Sequence, residues 1–143
     1  MENKIKESIM MHIYGNVPYK HCGRDLKGLD CYGLIMQIYD NFLNIRLWDI
    51  DEEYDENWGF KNGNHFLENY YRQWEKVNIP KFYDVVLFKN KKCVTDHGGI
   101  IITGQKFIHA CKAGIVVTRL NDNKWINRVE GYYRFKGLKN DND

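Results

Sequence analysis

Between Asp30 and Ile45 the apolar residues fall at Cys31, Leu34, Ile35, Ile38, Phe42 and Ile45, and Gln37, Asp40, Asn41 and Asn44 fall between them. That spacing has the helical period and puts one apolar stripe opposite one polar face. Asp30 stands immediately before the first helical residue, where a carboxylate accepts from first-turn N–H groups. A helix with one apolar face is stable only if the rest of the chain covers that face, and this requirement constrains the fold most. Cys31 opens the stripe. A thiol in the first turn lies at the positive end of the helix macrodipole, which favours thiolate over thiol. Because the stripe points inward, the thiol is presented in a cleft and not to open solvent.

The covering surface comes from the second half of the chain. Residues 85–88, 97–103, 106–111 and 115–119 read as short strands, and 132–135 closes the sheet. Residues 103–105 and 112–114 are connectors of hairpin length. Upstream, residues 3–14 read as an amphipathic helix with Ile5, Ile9, His12 and Ile13 on its buried stripe, ended by Gly15, Asn16 and Pro18. Residues 48–57 read as an exposed acidic loop. A third helix is expected over 64–76, burying Phe66, Leu67, Tyr70, Tyr71 and Trp74, with Pro80 closing that region. Helices first and strands afterwards imply an α+β fold, with an antiparallel sheet packed on the Cys31 helix. One domain is expected over residues 1–139, followed by a disordered tail at 140–143.

Composition excludes several classes. Hydrophobic residues make up 43% of the 143 positions, enough for a core without metal or disulfide staples. A formal net charge of +2 with dispersed basic residues gives no footprint for nucleic acid. No apolar stretch approaches membrane-spanning length, and the first residues lack the apolar run of a signal peptide. The expectation is a chain made in the cytoplasm that reaches any outside target by another route. The four cysteines include no Cys-x-x-Cys pair, so zinc ribbons and redox motifs find no support.

Acyl transfer by a thiol needs a nucleophile, a base that also serves as acid, and a group that orients the base. His97 opens one expected strand and His109 lies in the next. Pairing through a turn centred on Gly104 places them one diagonal step apart on adjacent strands. Facing the nucleophile helix, they form a Cys31–His97–His109 line. Gly98 and Gly99 follow directly, where missing side chains let a substrate backbone approach. The Cys31 backbone N–H is a natural oxyanion donor. A lone cysteine on an apolar helix face is ordinarily buried and inert, and it is the company of the two histidines that lifts Cys31 above that reading. Cys22, Cys93 and Cys111 read as structural, and His12, His21 and His65 as incidental. Cys111 shares strand parity with His109, but nothing supplies further ligands at zinc spacing. No metal or cofactor is expected.

At these residues the sequence resembles a known family. Gly23-Arg24-Asp25 followed by Leu29-Asp30-Cys31-Tyr32-Gly33-Leu34 is similar to the nucleophile motif of the NlpC/P60 cysteine peptidases, papain-like enzymes that cut the peptide stems of bacterial cell walls. Pro18-Tyr19-Lys20 is similar to the family's lead-in. Asp96-His97-Gly98-Gly99-Ile100 and Phe107-Ile108-His109-Ala110 resemble its two histidine-bearing strands. The resemblance implies a papain-like fold, Cys31 as nucleophile, His97 as base and His109 as its orienter. It also implies that Tyr19 and Asp30, beside the nucleophile, hold the free amine of a stem peptide. Tyr32 takes the place of the commoner serine. That aromatic variant, counted with Tyr19 and Asp30 as a substrate-binding position, resembles the subgroup associated with phage tail assembly, as does the closing stretch from Asn127 to Arg134. Tyr83 stands where a glycine is expected before Asp84.

Together these features imply a thiol endopeptidase on peptidoglycan stem peptides, cutting between γ-D-glutamate and the diamino acid, with phage tail proteins as partners and the cell wall as its place of action. The rivals are an amidase or acyltransferase on another amide, and a non-catalytic structural tail-tip protein.

Overall fold

The stripe from Cys31 onward forms α2 (Cys31–Leu43) in the computed structural model of the chain, which describes residues 2–47, 74–102 and 105–137. Asp30 caps it, its carboxylate accepting from the Gly33 N–H at 2.8 Å. Asn44 ends it in the left-handed region (φ 55°), so Ile45 lies beyond the helix. Leu34, Ile35 and Ile38 are fully buried, as the spacing requires. Gly33 is dictated by packing: a Cβ there would sit 2.0 Å from the Gly23 carbonyl oxygen.

The first helix, α1 (Glu2–Tyr14), forms but is rolled away from the expected stripe. Ile5 and Ile9 are 56% and 44% exposed, while Met10 and Tyr14 are fully buried. The larger Met10 and Tyr14 remove more apolar area from water than the two isoleucines would. The same roll lets Glu7 pair with Lys106 at 3.2 Å. No described helix is long and apolar enough to cross a membrane.

The segment before α2 contains a small hairpin, β1 (Arg24–Asp25) and β2 (Gly28–Leu29), with Tyr19 bridged to Leu29. Then come β3 (Trp74–Val77), β4 (Val85–Lys89), β5 (Thr95–Ile102), β6 (Lys106–Cys111), β7 (Gly114–Arg119) and β8 (Val129–Phe135). They form one antiparallel sheet in the order β3-β8-β4-β5-β6-β7. Two helices with a six-stranded antiparallel sheet are the expected α+β architecture. The third expected helix is corrected where it is described: Trp74 to Val77 pairs with β8, Trp74 opposite Phe135. Pairing to β8 and the ring contacts of Trp74 with Phe135 and Tyr39, both 5.3 Å between centroids, outweigh the local helical spacing. Residues 64–73, the acidic loop at 48–57 and the tail at 140–143 lie outside the described residues.

Strand alternation divides the core into two layers. Val85, Leu87, Ile100, Ile102, Ile108 and Ala110 face α2, whereas Val86, Phe88, Ile101 and Phe107 form a second cluster with Leu120 and Trp125. The turn into β4 forms without its glycine. Tyr83 takes φ 78°, and its N–H donates to the Ile101 carbonyl at 2.9 Å. Asp84, fully buried, holds this turn through the Lys81 N–H at 2.7 Å and through Arg134 at 2.7 and 3.0 Å.

Candidate active site

The register of β5 on β6 sets Ile100 opposite Ile108, the pairing that a turn centred on residue 104 implies. His97 and His109 therefore stand diagonally across adjacent strands, and His97 Nε2 lies 2.8 Å from His109 Nδ1. They do not project toward the body of α2 as expected. Gly98 takes the α2-facing position, where an added Cβ would meet Ile35 at 3.4 Å, and Gly99 faces the other way, against Phe107 and the Ile108 carbonyl. With a period of two, His97 and His109 share the face of Phe88 and Phe107. Both glycines are buried. Their missing side chains serve packing against α2 and β6.

Cys31 and His97 face one pocket at the N-terminal end of α2. Cys31, 4% exposed, lines a pocket of about 320 Å³ together with His97, Tyr19 and Ala110. The rest of the described wall is Asp96, Cys111, Lys112, Lys124, Trp125 and Arg128. Of the residues expected to bind substrate, Tyr19 lines this pocket and Asp30 and Tyr32 do not. The Asp30 carboxylate is buried and accepts from the N–H groups of Gly33 and Cys22 and from Arg24, at 2.8, 2.9 and 3.0 Å. Tyr32 is buried, with the Arg24 guanidinium 5.3 Å from its ring centroid.

Three residues of the site are not among those that the sequence marks as site residues. Thr118 on β7 places its hydroxyl 2.9 Å from His109 Nε2. Trp125 stacks on the His97 ring, with centroids 5.0 Å apart and planes 27° apart, and meets His109 edge-on. The Arg128 guanidinium lies over that indole at 4.7 Å, fixed by donation to the Lys89 carbonyl at 2.9 Å and by Asp96 at 3.4 Å. Thr118 lies within β7, and Trp125 and Arg128 lie in the connection from β7 to β8, so it is their three-dimensional neighbours that reveal them as part of the site.

This enclosure disfavours charge on both imidazoles. Burial, then the neighbouring His109, Arg128 and Lys124, hold His97 well below the usual histidine value. Burial, then Lys124, push His109 down to about 4. Asp96 is raised by burial against the opposing pull of Arg128. Near neutral pH both rings are neutral, each with one N–H and one bare nitrogen.

A thiol, a neutral imidazole and a second imidazole in hydrogen-bond contact are the parts of a thiol acyl-transfer site. A Cys111–His109 metal site is not supported, because the His109 nitrogens face His97 and Thr118, and the Cys111 thiol donates to the Gly114 carbonyl at 3.3 Å. Among the described residues, His21, Cys22 and Asp30 bring ligand atoms within 4.8 Å of one another. A cation there would compete with Arg24 for the Asp30 carboxylate, so the donor set fits an ion pair better than a metal.

Comparison with known proteins gives a consistent picture. The NlpC/P60 family model matches residues 15–134. The chain is 27% identical over 118 residues to the probable peptidoglycan endopeptidase LytE of Bacillus subtilis, covering 82% of this chain and 30% of that protein. The chain thus spans about a third of that relative's length. Among solved structures, an NLP/P60 family protein of Staphylococcus aureus described as similar to lipoprotein superposes with a TM-score of 0.66 at 20% identity, over 96% of this chain and 42% of the other. The NlpC/p60 domain of the peptidoglycan hydrolase SagA gives 0.57 at 20% identity, over 93% and 98%. An NlpC/P60 family protein of Bacillus cereus gives 0.65 at 19% identity, over 93% and 40%. At these identities the structures speak for the fold.

Proposed function

The chain belongs to the NlpC/P60 family, and from that premise we propose that it is a thiol endopeptidase hydrolysing peptidoglycan stem peptides, with Cys31 as nucleophile, His97 as base and His109 as the residue that orients it. The observation that carries this reading is that Cys31 and His97 line one pocket while His97 Nε2 is held by His109 at 2.8 Å. With Nε2 engaged, Nδ1 is the nitrogen left to receive the thiol proton.

The reaction follows from these groups. The Cys31 thiol gives its proton to His97 Nδ1, and the sulfur bonds to the scissile carbonyl carbon. The resulting oxyanion is stabilised by the Cys31 N–H at the start of α2. Collapse breaks the C–N bond, and His97 passes its proton to the leaving amine. Water then attacks the thioester, giving a proton to His97, and the carboxylate product leaves as the thiol is restored.

Finer assignments rest on the resemblance of single motifs. The bond is that between γ-D-glutamate and the diamino acid. Tyr19, in the pocket wall, contacts the free amine, and Asp30 supports it from behind through Arg24 and the helix cap. Tyr32 and the closing stretch around β8 favour delivery within a phage tail, which co-purification with tail proteins from an induced lysogen would test. LytE and SagA, named as a peptidoglycan endopeptidase and a peptidoglycan hydrolase, support the substrate class.

The roles are separated by single-turnover rates on a stem peptide. His97→Ala removes both proton transfers and should fall toward Cys31→Ala, a loss of roughly 10²–10⁴-fold. His109→Asn keeps a hydrogen bond to His97 and should retain turnover that His109→Ala loses. A silent His109→Ala beside an active His97→Asn would overturn the assignment.

A further inference from the structure

We infer that Thr118 is a positioning residue of this site, the acceptor at the end of a directed chain running from His97 through His109 to its hydroxyl. The inference rests on the reading of His97 as base and His109 as orienter, and deepens it by one residue.

The geometry supplies two contacts: His97 Nε2 to His109 Nδ1 at 2.8 Å, and His109 Nε2 to Thr118 Oγ1 at 2.9 Å. A hydroxyl can donate or accept, so at rest the chain could run in either direction. Reaction removes that freedom. Once His97 holds the thiol proton, both its ring nitrogens are donors, and His109 Nδ1 must be the acceptor. A neutral His109 then carries its own proton on Nε2, aimed at Thr118, and the hydroxyl must accept. His109 is 1% exposed, so water does not readily replace that acceptor. Thr118 is on β7, whose pairing with β6 sets Thr118 opposite Phe107, two residues from His109. The contact is therefore fixed by strand register.

The reverse chain has a defined cost to function. If Thr118 donates to His109 Nε2, the His109 proton sits on Nδ1, points at His97 Nε2, and forces the His97 proton onto Nδ1. That tautomer cannot receive the thiol proton. The hydroxyl is thus tolerated in both directions at rest but required as acceptor in the charged state. Valine, of nearly the same shape, removes it and leaves a buried N–H without an acceptor at the point where charge develops.

The test uses the full chain with Thr118→Val and Thr118→Ser, and Cys31→Ala as control. Thr118→Val should lower kcat by roughly 5- to 150-fold with KM little changed, the range set by one orphaned buried donor. Thr118→Ser should restore kcat to within a few-fold. Imidazole ¹⁵N shifts give a readout that needs no turnover: the share of His109 carrying its proton on Nε2 should fall, and the Nδ1–H form should grow, in Thr118→Val relative to the parent chain. Unchanged kcat in Thr118→Val, or a His109 tautomer balance that Thr118→Val leaves unmoved, overturns the inference. Turnover that survives Cys31→Ala overturns the thiol reading instead, and the ¹⁵N result then still decides whether Thr118 sets the tautomer.

Discussion

Acid should destabilise this protein in a window set by the enclosed histidine pair. In the unfolded chain both imidazoles titrate near 6.5, whereas in the folded state His109 is pushed down to about 4 and His97 is held well below its usual value. Below pH 6.5 the unfolded chain therefore binds protons that the folded chain refuses. Stability is full above that point and is lost as pH falls toward 4. For the almost fully buried His109, a depression from 6.5 to about 4 amounts to roughly 3 kcal/mol. His97 acts in the same direction. Each histidine contributes a slope of about 1.4 kcal/mol per pH unit while only the unfolded form is protonated. Asp96 works the opposite way at the acid end, because burial raises it and the folded form takes up its proton first. The clean interval is therefore pH 6 to 5. Urea unfolding at pH 7.5, 6.0, 5.5 and 5.0 would read the slope, with His109→Asn removing one titrating group while keeping polar contact to His97. The parent should lose between about 1.4 and 2.7 kcal/mol per unit, and His109→Asn should lose about 1.4 less. A flat profile in the parent, or an equally steep one in the variant, would refute the reasoning.

Further outcomes follow from the same structure. Sub-stoichiometric iodoacetamide at neutral pH should label Cys31 ahead of Cys93 in mass mapping, although Cys93 is exposed and Cys31 is buried; labelling of Cys93 first would count against an activated thiol. Chelation should leave turnover unchanged, and a loss restored by zinc would direct attention to His21, Cys22 and Asp30. Asp84→Ala should cost about 2–4 kcal/mol in urea unfolding, since it removes the buried carboxylate that accepts from the Lys81 N–H and pairs with the Arg134 guanidinium.

What the sequence made legible was local or set by simple register. The apolar stripe of α2, its Asp30 cap and the β runs are patterns over a few residues, and the His97–His109 diagonal follows from a short turn. The rest depended on distant partners. The side of α1 that is buried was settled by the bulk of Met10 and Tyr14 and by Lys106, ninety-nine positions from its Glu7 partner. Trp74 to Lys76 looked helical alone and belong to a strand because β8 lies beside them. Parity was misjudged at His97, where Gly98 occupies the place against Ile35. Thr118 and Trp125 carry no motif and Arg128 stood out only as part of the closing stretch; they matter because β7 and the turn after it return to the histidines.

The central claim is that the Cys31 thiol cuts a peptide bond in cell-wall stems. Purified protein incubated with muropeptides of defined sequence, with products read by mass spectrometry beside Cys31→Ala, tests it most directly. The account predicts new fragments ending at γ-D-glutamate and beginning at the diamino acid, formed by the parent and absent with Cys31→Ala. Intact muropeptides after incubation with folded parent protein, or the same fragments from Cys31→Ala, would contradict it.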